Sequence, residues 1–155
     1  MLKQPVFINS IASISALGTT SVEIWNNYLH ENSLFQKMEA NKRQNWVSKF
    51  SENENQLLEE IMTSDSKYKH LDKSVVMAIL VARKCFENSH FSDKNVGINF
   101  GSSRGATTLF EKHHSDFVNE GTVSTFTSPA TTLGNISSWV SHDLQTDGPE
   151  ISHSI

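Results

Sequence analysis

Apolar residues recur along this chain in two rhythms, and the change from one to the other predicts its elements. Val6-Phe7-Ile8 is a short run of strand-forming residues. Val22, Trp25 and Leu29 then fall three and four positions apart, the spacing of one helix face. Thr20 with Glu23 three residues later matches a capping box, so a helix is predicted to start after Thr20 and to end near His30. Residues 31–71 are polar and rich in Asn, Lys and Glu, with one modest amphipathic segment carrying Leu57, Leu58, Ile61 and Met62. They read as a variable surface excursion of loops with one or two short helices. Residues 74–86 are apolar on more than one face, which predicts a largely buried helix. Residues 95–100 read as a strand, 101–105 as a tight turn, and 107–119 as a helix ended by Gly121. Ser128-Pro129 marks the next helix entrance, with Leu133, Ile136, Val140 and Leu144 at spacings of three, four and four. Between them lie the small residues Gly134, Ser137, Ser138 and Ser141, which let a helix approach neighbouring backbone closely. A last strand-like run, 148–155, follows a glycine turn and reads as the approach to a site lying past its end. Strand, helix, strand, helix, strand is the order of an α/β domain with parallel pairings.

Composition narrows the class. The 155 residues are 37% hydrophobic and 19% charged, which suits one domain or part of a larger one. Thirteen basic against seventeen acidic residues give a formal charge of -4, and no stretch concentrates basic charge beyond a short pair such as Lys42-Arg43. Nucleic acid is therefore not expected as a partner, because phosphate binding needs a positive face. The start, Met1-Leu2-Lys3-Gln4-Pro5, passes into Val6-Phe7-Ile8 without the apolar run of a signal peptide or membrane span, so a cytoplasmic setting and no membrane partner are expected. Cys85, the single cysteine, can form neither an internal disulfide nor a multi-cysteine zinc site, in keeping with a reducing compartment.

Three patterns raise chemical possibilities. Gly101-Ser102-Ser103-Arg104-Gly105 satisfies G-x-S-x-G between a predicted strand and a predicted helix, the setting of a nucleophile elbow. A hydrolase of that kind would use Ser103, with Asp116 or Asp143 as the acid and His142 or His153 as the base. Only one long helix and one strand follow the turn, however, and the plainer reading is a glycine-rich connection. The turn is not a P-loop, since no Gly-Lys-Ser/Thr follows it. Seven histidines (His30, His70, His90, His113, His114, His142 and His153) include no pair at helical i, i+4 spacing, so solvated or capping roles are expected and no metal site. Cys85, within the buried helix, reads as an inert core thiol, and Trp25, Trp46 and Trp139 read as packing residues.

Four segments together resemble the N-terminal half of a β-ketoacyl synthase, a condensing enzyme of the thiolase fold. Val6-Phe7-Ile8 through Leu17-Gly18 to Trp25 and Leu29 is similar to the family's opening strand, glycine turn and first helix. Residues 72–86 resemble its long alanine-rich helix, and Val96-Gly97-Ile98-Asn99-Phe100-Gly101-Ser102-Ser103-Arg104-Gly105 its second strand and glycine turn. The most specific piece is Thr127-Ser128-Pro129-Ala130-Thr131-Thr132-Leu133-Gly134-Asn135-Ile136 through Gly148-Pro149-Glu150-Ile151-Ser152-His153-Ser154. In the family this strand runs within a residue or two into a nucleophilic cysteine at a helix N-terminus, and 155 residues stop just short of it. Residues 31–71 contribute little to the likeness.

The resemblance implies an α/β fold, the N-terminal half of a layered αβαβα sandwich with a mixed, mainly parallel sheet, over 1–155. It implies decarboxylative condensation of an acyl thioester with a malonyl thioester on acyl carrier protein, in fatty-acid or polyketide-like synthesis, with no cofactor. The family's two histidines belong to its C-terminal half, so no residue of this chain is assigned a catalytic role and the chain alone is expected to be inactive. By resemblance, the glycine turn lines the acyl pocket and Arg104 stands where the family often has an apolar or small residue. Thr131 and Thr132 lie in the segment near the partner subunit's pocket, which makes them, with Arg104, the substrate-contact candidates; a structural ion pair for Arg104 and helix packing for the threonines are the alternatives. A homodimer, or a heterodimer with a ketosynthase-like chain, is implied. The alternative function is a non-catalytic partner comparable to a chain-length factor. For the isolated chain, exposure of Leu133, Ile136, Val140 and Leu144 is expected to promote self-association.

Overall fold

The computed structural model describes residues 5–40, 42–89 and 93–153. Met1 to Gln4, His90 and the Ser154-Ile155 end of the last predicted strand lie outside them. The core is built on helix α3, Lys73–Ser89, whose Val75, Val76 and Ile79 are fully buried. One side of α3 meets α2, Glu52–Ser64, through Leu58 and Ile61; the other meets α6, Asn135–Leu144, through Ile136 and Val140. Helix α6 in turn packs on a parallel pair of strands, β3 (Ile98–Gly101) and β4 (Glu150–His153). Each fully buried aliphatic side chain in this stack contributes on the order of 1.5–3 kcal/mol. The small residues of α6 allow its close approach to the sheet: Ser137 and Ser141 are buried, and Ser137 Oγ lies 2.6 Å from Ser152 Oγ of β4.

The strand pair is held in register before either strand begins. Lys94 O accepts from Asp147 N at 2.7 Å, Pro149 O accepts from Ile98 N at 2.9 Å, and Lys94 Nζ donates to Leu144 O at the end of α6. Gly148 sits so tightly here that a Cβ would come within 2.3 Å of the Val96 backbone. Only hydrogen fits in that space.

Helix α1, Ser21–Leu29, starts as its sequence predicts. Thr20 Oγ1 accepts from Glu23 N at 3.2 Å, and Glu23 Oε2 accepts from Thr20 N at 3.0 Å and Thr19 N at 3.1 Å. Those backbone bonds, Thr19 first, hold the Glu23 carboxyl below its ordinary range. Helix α4, Thr107–Glu120, ends at Gly121 as expected.

Several expectations are corrected. Val6-Phe7-Ile8 forms no strand and is largely exposed, because none of the described residues pairs with its backbone. Residues 31–71 hold α2 and one 3₁₀ turn, Ser66–Tyr68, but also an unpredicted antiparallel hairpin, β1 (Phe35–Ala40) with β2 (Arg43–Ser48). Its strands lack the β-branched alternation that signals a hairpin, and the sequence ahead of Arg43 carries no Asn-Gly or Asp-Gly pair. The long helix predicted after Ser128 breaks in two, α5 (Thr127–Thr131) and α6, because Thr132 turns extended ahead of Gly134. Trp139 packs against the core, but Trp25 is 60% and Trp46 65% exposed. No residue of α1 is buried, so its Val22-Trp25-Leu29 stripe faces outward. Cys85 is half-buried rather than a core residue. Ile136 and Val140 are buried against α3, so the exposed apolar surface lies on α1, α4 and 6–11 instead.

Candidate functional site

The strands β3 and β4 end side by side, with Gly101 opposite His153. In α/β units, ligands gather past the carboxyl ends of parallel strands. Here the ladder continues one step into the turn, where Ser102 N donates to His153 O at 3.1 Å. Ser102 Oγ then accepts from Gly105 N at 2.9 Å, closing the turn on itself. Gly105 has φ +65, a left-handed conformation that favours glycine, and it faces Leu133 across an ordinary contact distance of 3.8 Å for a notional Cβ. The turn thus joins the strand ends to the α5–α6 connection.

One buried carboxylate anchors this turn. Helix α4 has Ala106 at its cap position and no side-chain cap of its own. Asp72, 5% exposed, supplies one from a distance: its Oδ2 accepts from Leu109 N at 3.0 Å. Its Oδ1 accepts from Ser74 N at 2.9 Å and Ser74 Oγ at 2.7 Å, capping α3 as well. Asp72 therefore starts two helices and fixes where the turn sits between them. A polar residue ahead of the predicted 74–86 helix signals the first cap; nothing in the sequence signals the second.

Two depressions flank this arrangement. A cleft of about 530 Å³ runs between Phe50, Asn55, Lys73 and Met77 on one side and Gly105, Thr107 and Thr108 on the other. A groove of about 770 Å³ is floored by Leu71, Leu109, Phe126 and Trp139 and rimmed by Lys67, Lys69, His70, Lys112 and His113. Asn135 closes its inner end. That amide is 9% exposed, donates from Nδ2 to Pro129 O at 2.7 Å, and leaves Oδ1 without a partner among the described residues. Lys67 lies 3.9 Å from Asp65 and His113 3.9 Å from Asp116, while Lys69 and Lys112 form no ion pair among the described residues. An apolar floor beneath a cationic rim suits an anionic partner carrying an apolar portion. Sequence reading missed this groove because its lysines come from separate segments that are not basic on average.

The substrate-contact candidates stand as follows. Arg104 is exposed at the tip of the turn and makes no ion pair among the described residues. Thr131 is half-buried and donates to Thr127 O at 2.7 Å; Thr132 is exposed, with its hydroxyl 3.4 Å from Pro129 O. Both hydroxyls are thus spent on their own helix. The residue of this segment that faces Gly105 is Leu133.

The nucleophile-elbow reading fails on geometry. Such a serine sits in a strained turn, yet among the described residues the non-glycine positions with positive φ are Lys42 and Gln145, not Ser103. Asp143, one of the two candidate acids, is committed elsewhere: it receives Arg83 Nε at 2.8 Å, Arg83 Nη2 at 2.7 Å and the Tyr68 hydroxyl at 2.5 Å. Burial opposes its ionisation, but the bonds from Arg83 and Tyr68 outweigh burial and hold the carboxyl below its ordinary range. Among the described residues no three His, Cys, Asp or Glu side chains gather as a metal set. No helix of the described residues is long and apolar enough to cross a membrane.

With that geometry in place, comparison with known proteins separates fold from function. No family model and no curated protein matches the sequence. Among solved structures, the ishigamide ketosynthase/chain length factor superposes on 95% of this chain with a TM-score of 0.71, at 13% sequence identity. The fold is ketosynthase-like. The chain spans 39% of the length of that structure's chain, so the likeness concerns a portion of a larger architecture. At this identity it is the arrangement of the backbone that is shared, a mixed α/β, thiolase-like arrangement, rather than a site.

Proposed function

We propose that the chain is part of a β-ketoacyl-acyl-carrier-protein synthase, contributing the scaffold and acyl-pocket wall of a condensing enzyme of layered αβαβα form. The observation that carries this reading is the shared backbone arrangement, which extends over nearly the whole chain; within the chain, the parallel β3–β4 pair leads at its carboxyl end into the glycine turn. In this reaction an acyl group passes from a carrier thioester to a cysteine thiol, releasing the carrier's own thiol. Malonyl carrier protein then loses CO₂, and the carbanion attacks the acyl thioester to give a 3-oxoacyl carrier and the free cysteine. Cys85 lies within α3 rather than at a helix N-terminus, so in this reading the thiol and the two histidines belong to polypeptide outside these 155 residues. Arg104, at the tip of the turn, and Thr131 and Thr132 would border the acyl chain. The lysine-rimmed groove supports an anionic carrier as partner.

The second reading, a chain-length-factor-like subunit, is favoured by the same neighbour, whose name covers both a ketosynthase and a chain length factor. The two are separated by incubating the parent polypeptide with acyl carrier protein thioester and weighing the protein. An acyl adduct on a cysteine, followed by 3-oxoacyl product when malonyl carrier protein is added, supports the condensing enzyme. No adduct, together with tight pairing to a ketosynthase, supports the subunit.

A further inference from the structure

We infer that the lysine-rimmed groove between residues 66–71, α4 and residues 124–139 is a small-molecule site for a free amphiphile, with a carboxylate head at the rim, an aliphatic chain along the floor and a hydroxyl at the far end. Each part of that ligand answers a feature of the groove. The head answers its charge. The titratable side chains that line it are Lys67, Lys69, His70, Lys112 and His113, and none of the described lining residues is Asp or Glu, in a chain of formal charge -4. Lys67 is drawn toward Asp65 and lies 4.8 Å from the Tyr68 ring centre, whereas the Lys69 and Lys112 ammonium groups meet no carboxylate among the described residues. Two unmatched cations beside one another suit an anionic head.

The chain answers the floor. Leu71, Leu109 and Trp139 are half-buried and Phe126 is 75% exposed, so an apolar strip lies open below the rim. A protein partner held by its surface charges meets the rim and leaves this strip wet, while an inserted aliphatic chain covers it. The groove's volume of about 770 Å³ falls among small-molecule sites, which run from roughly 300 to 1,000 Å³. The hydroxyl answers Asn135. That residue is 9% exposed and lines the groove, its Nδ2 is committed to Pro129 O at 2.7 Å, and its Oδ1 accepts from nothing among the described residues. A buried acceptor left without a donor is costly, so Oδ1 selects a ligand that brings one along the floor. The inference concerns the groove alone and holds whether or not the polypeptide takes part in a condensing reaction.

Fluorescence titration of the full chain with ω-hydroxydecanoate, below its micellar concentration and with neither carrier nor thioester present, tests it. Trp139 on the floor is the reporter, in a Trp25→Phe, Trp46→Phe background that removes the two exposed indoles. ω-Hydroxydecanoate is expected to bind about three- to tenfold more tightly than decanoate, the effect of one hydrogen bond to a buried acceptor. Exposed apolar surface elsewhere on the chain gives the opposite order, because there the hydroxyl loses water and gains no partner. α,ω-Decanediol, which lacks the charge, is expected to bind more weakly than ω-hydroxydecanoate, and Lys69→Ala with Lys112→Ala to narrow that gap. Asn135→Ala is expected to abolish the preference for the hydroxyl while leaving the affinity for decanoate within about twofold. Should that variant fail to fold, the ranking of the three ligands on the unsubstituted groove decides. Decanoate binding as tightly as ω-hydroxydecanoate, a Trp139 signal that never saturates, or a hydroxyl preference that survives Asn135→Ala in a folded chain overturns the inference.

Discussion

At the scale of single residues, the tightest polar arrangement joins positions far apart in the chain. Asp143, its side chain 2% exposed, takes two bonds from Arg83, sixty residues earlier, and one from Tyr68. Asp143→Ala removes all three and leaves Arg83 partly solvated, so the expected loss is about 2 kcal/mol in denaturant unfolding. Because the folded-state carboxyl is held low, its contribution is full above the unfolded value, about pH 4, and disappears as pH falls through the folded value. Asp143→Asn should therefore flatten the acid limb of the stability profile; an unchanged limb would show that the Arg83 bonds add nothing. The Thr20–Glu23 pair was legible in the sequence because its members lie one helical turn apart. Asp143 was not, and was grouped instead with a hydrolase serine, since its partners are brought to it only by the packing of α6 on α3. Arg104 makes no ion pair among the described residues; on the condensing-enzyme reading proposed above, Arg104→Ala in the longer polypeptide is expected to change the acyl-chain preference, and an unchanged product profile would leave Arg104 structural.

At the scale of elements, the starts of α1, α3 and α4 and the parallel pairing of β3 with β4 were readable, while the α5–α6 break, the missing first strand and the β1–β2 hairpin were not. The buried helix α3 showed itself by apolar residues on more than one face, and the β3, α4 and β4 segments by runs separated by glycine. The hairpin escaped notice because its stability rests on cross-strand pairing, which no local propensity reports. The division between α5 and α6 depends on a backbone choice at Thr132 that apolar spacing does not encode. Two element-level predictions follow from the connections around the strand ends. Asp72→Ala removes caps from α3 and α4 together, at about 1–2 kcal/mol for the pair, and should raise hydrogen exchange in the first turn of α4 as well as of α3. Exchange confined to α3 would mean that α4 holds its start without Asp72. Gly148→Ala drives a methyl group into the Val96 backbone and is expected to cost about 1–3 kcal/mol, with Val96→Ala giving no relief because the clash is with main chain.

At the scale of the whole molecule, the balance of covered and uncovered apolar surface governs behaviour. The α2–α3–α6 stack is closed, yet Phe7, Ile8, Ile11, Trp25, Tyr28 and Leu29 all expose more than half of their surface. Surface of this extent is characteristic of interfaces. The isolated chain is expected to bind a hydrophobic dye in its folded state and to self-associate, and Trp25→Ser with Leu29→Ser should reduce both without lowering the melting temperature; dye binding unaffected by these changes would place the sticky surface elsewhere. The sequence by itself determined the mixed α/β character of the fold, the extents of α3 and α4, the capping of α1 and the position of the glycine turn, because each depends on residues within a few turns of one another. Tertiary structure alone decided which apolar faces are buried, which carboxylate caps α4, and how lysines from separate segments meet around one groove. Those outcomes are set by contacts between residues tens of positions apart, and only the packed chain brings them together.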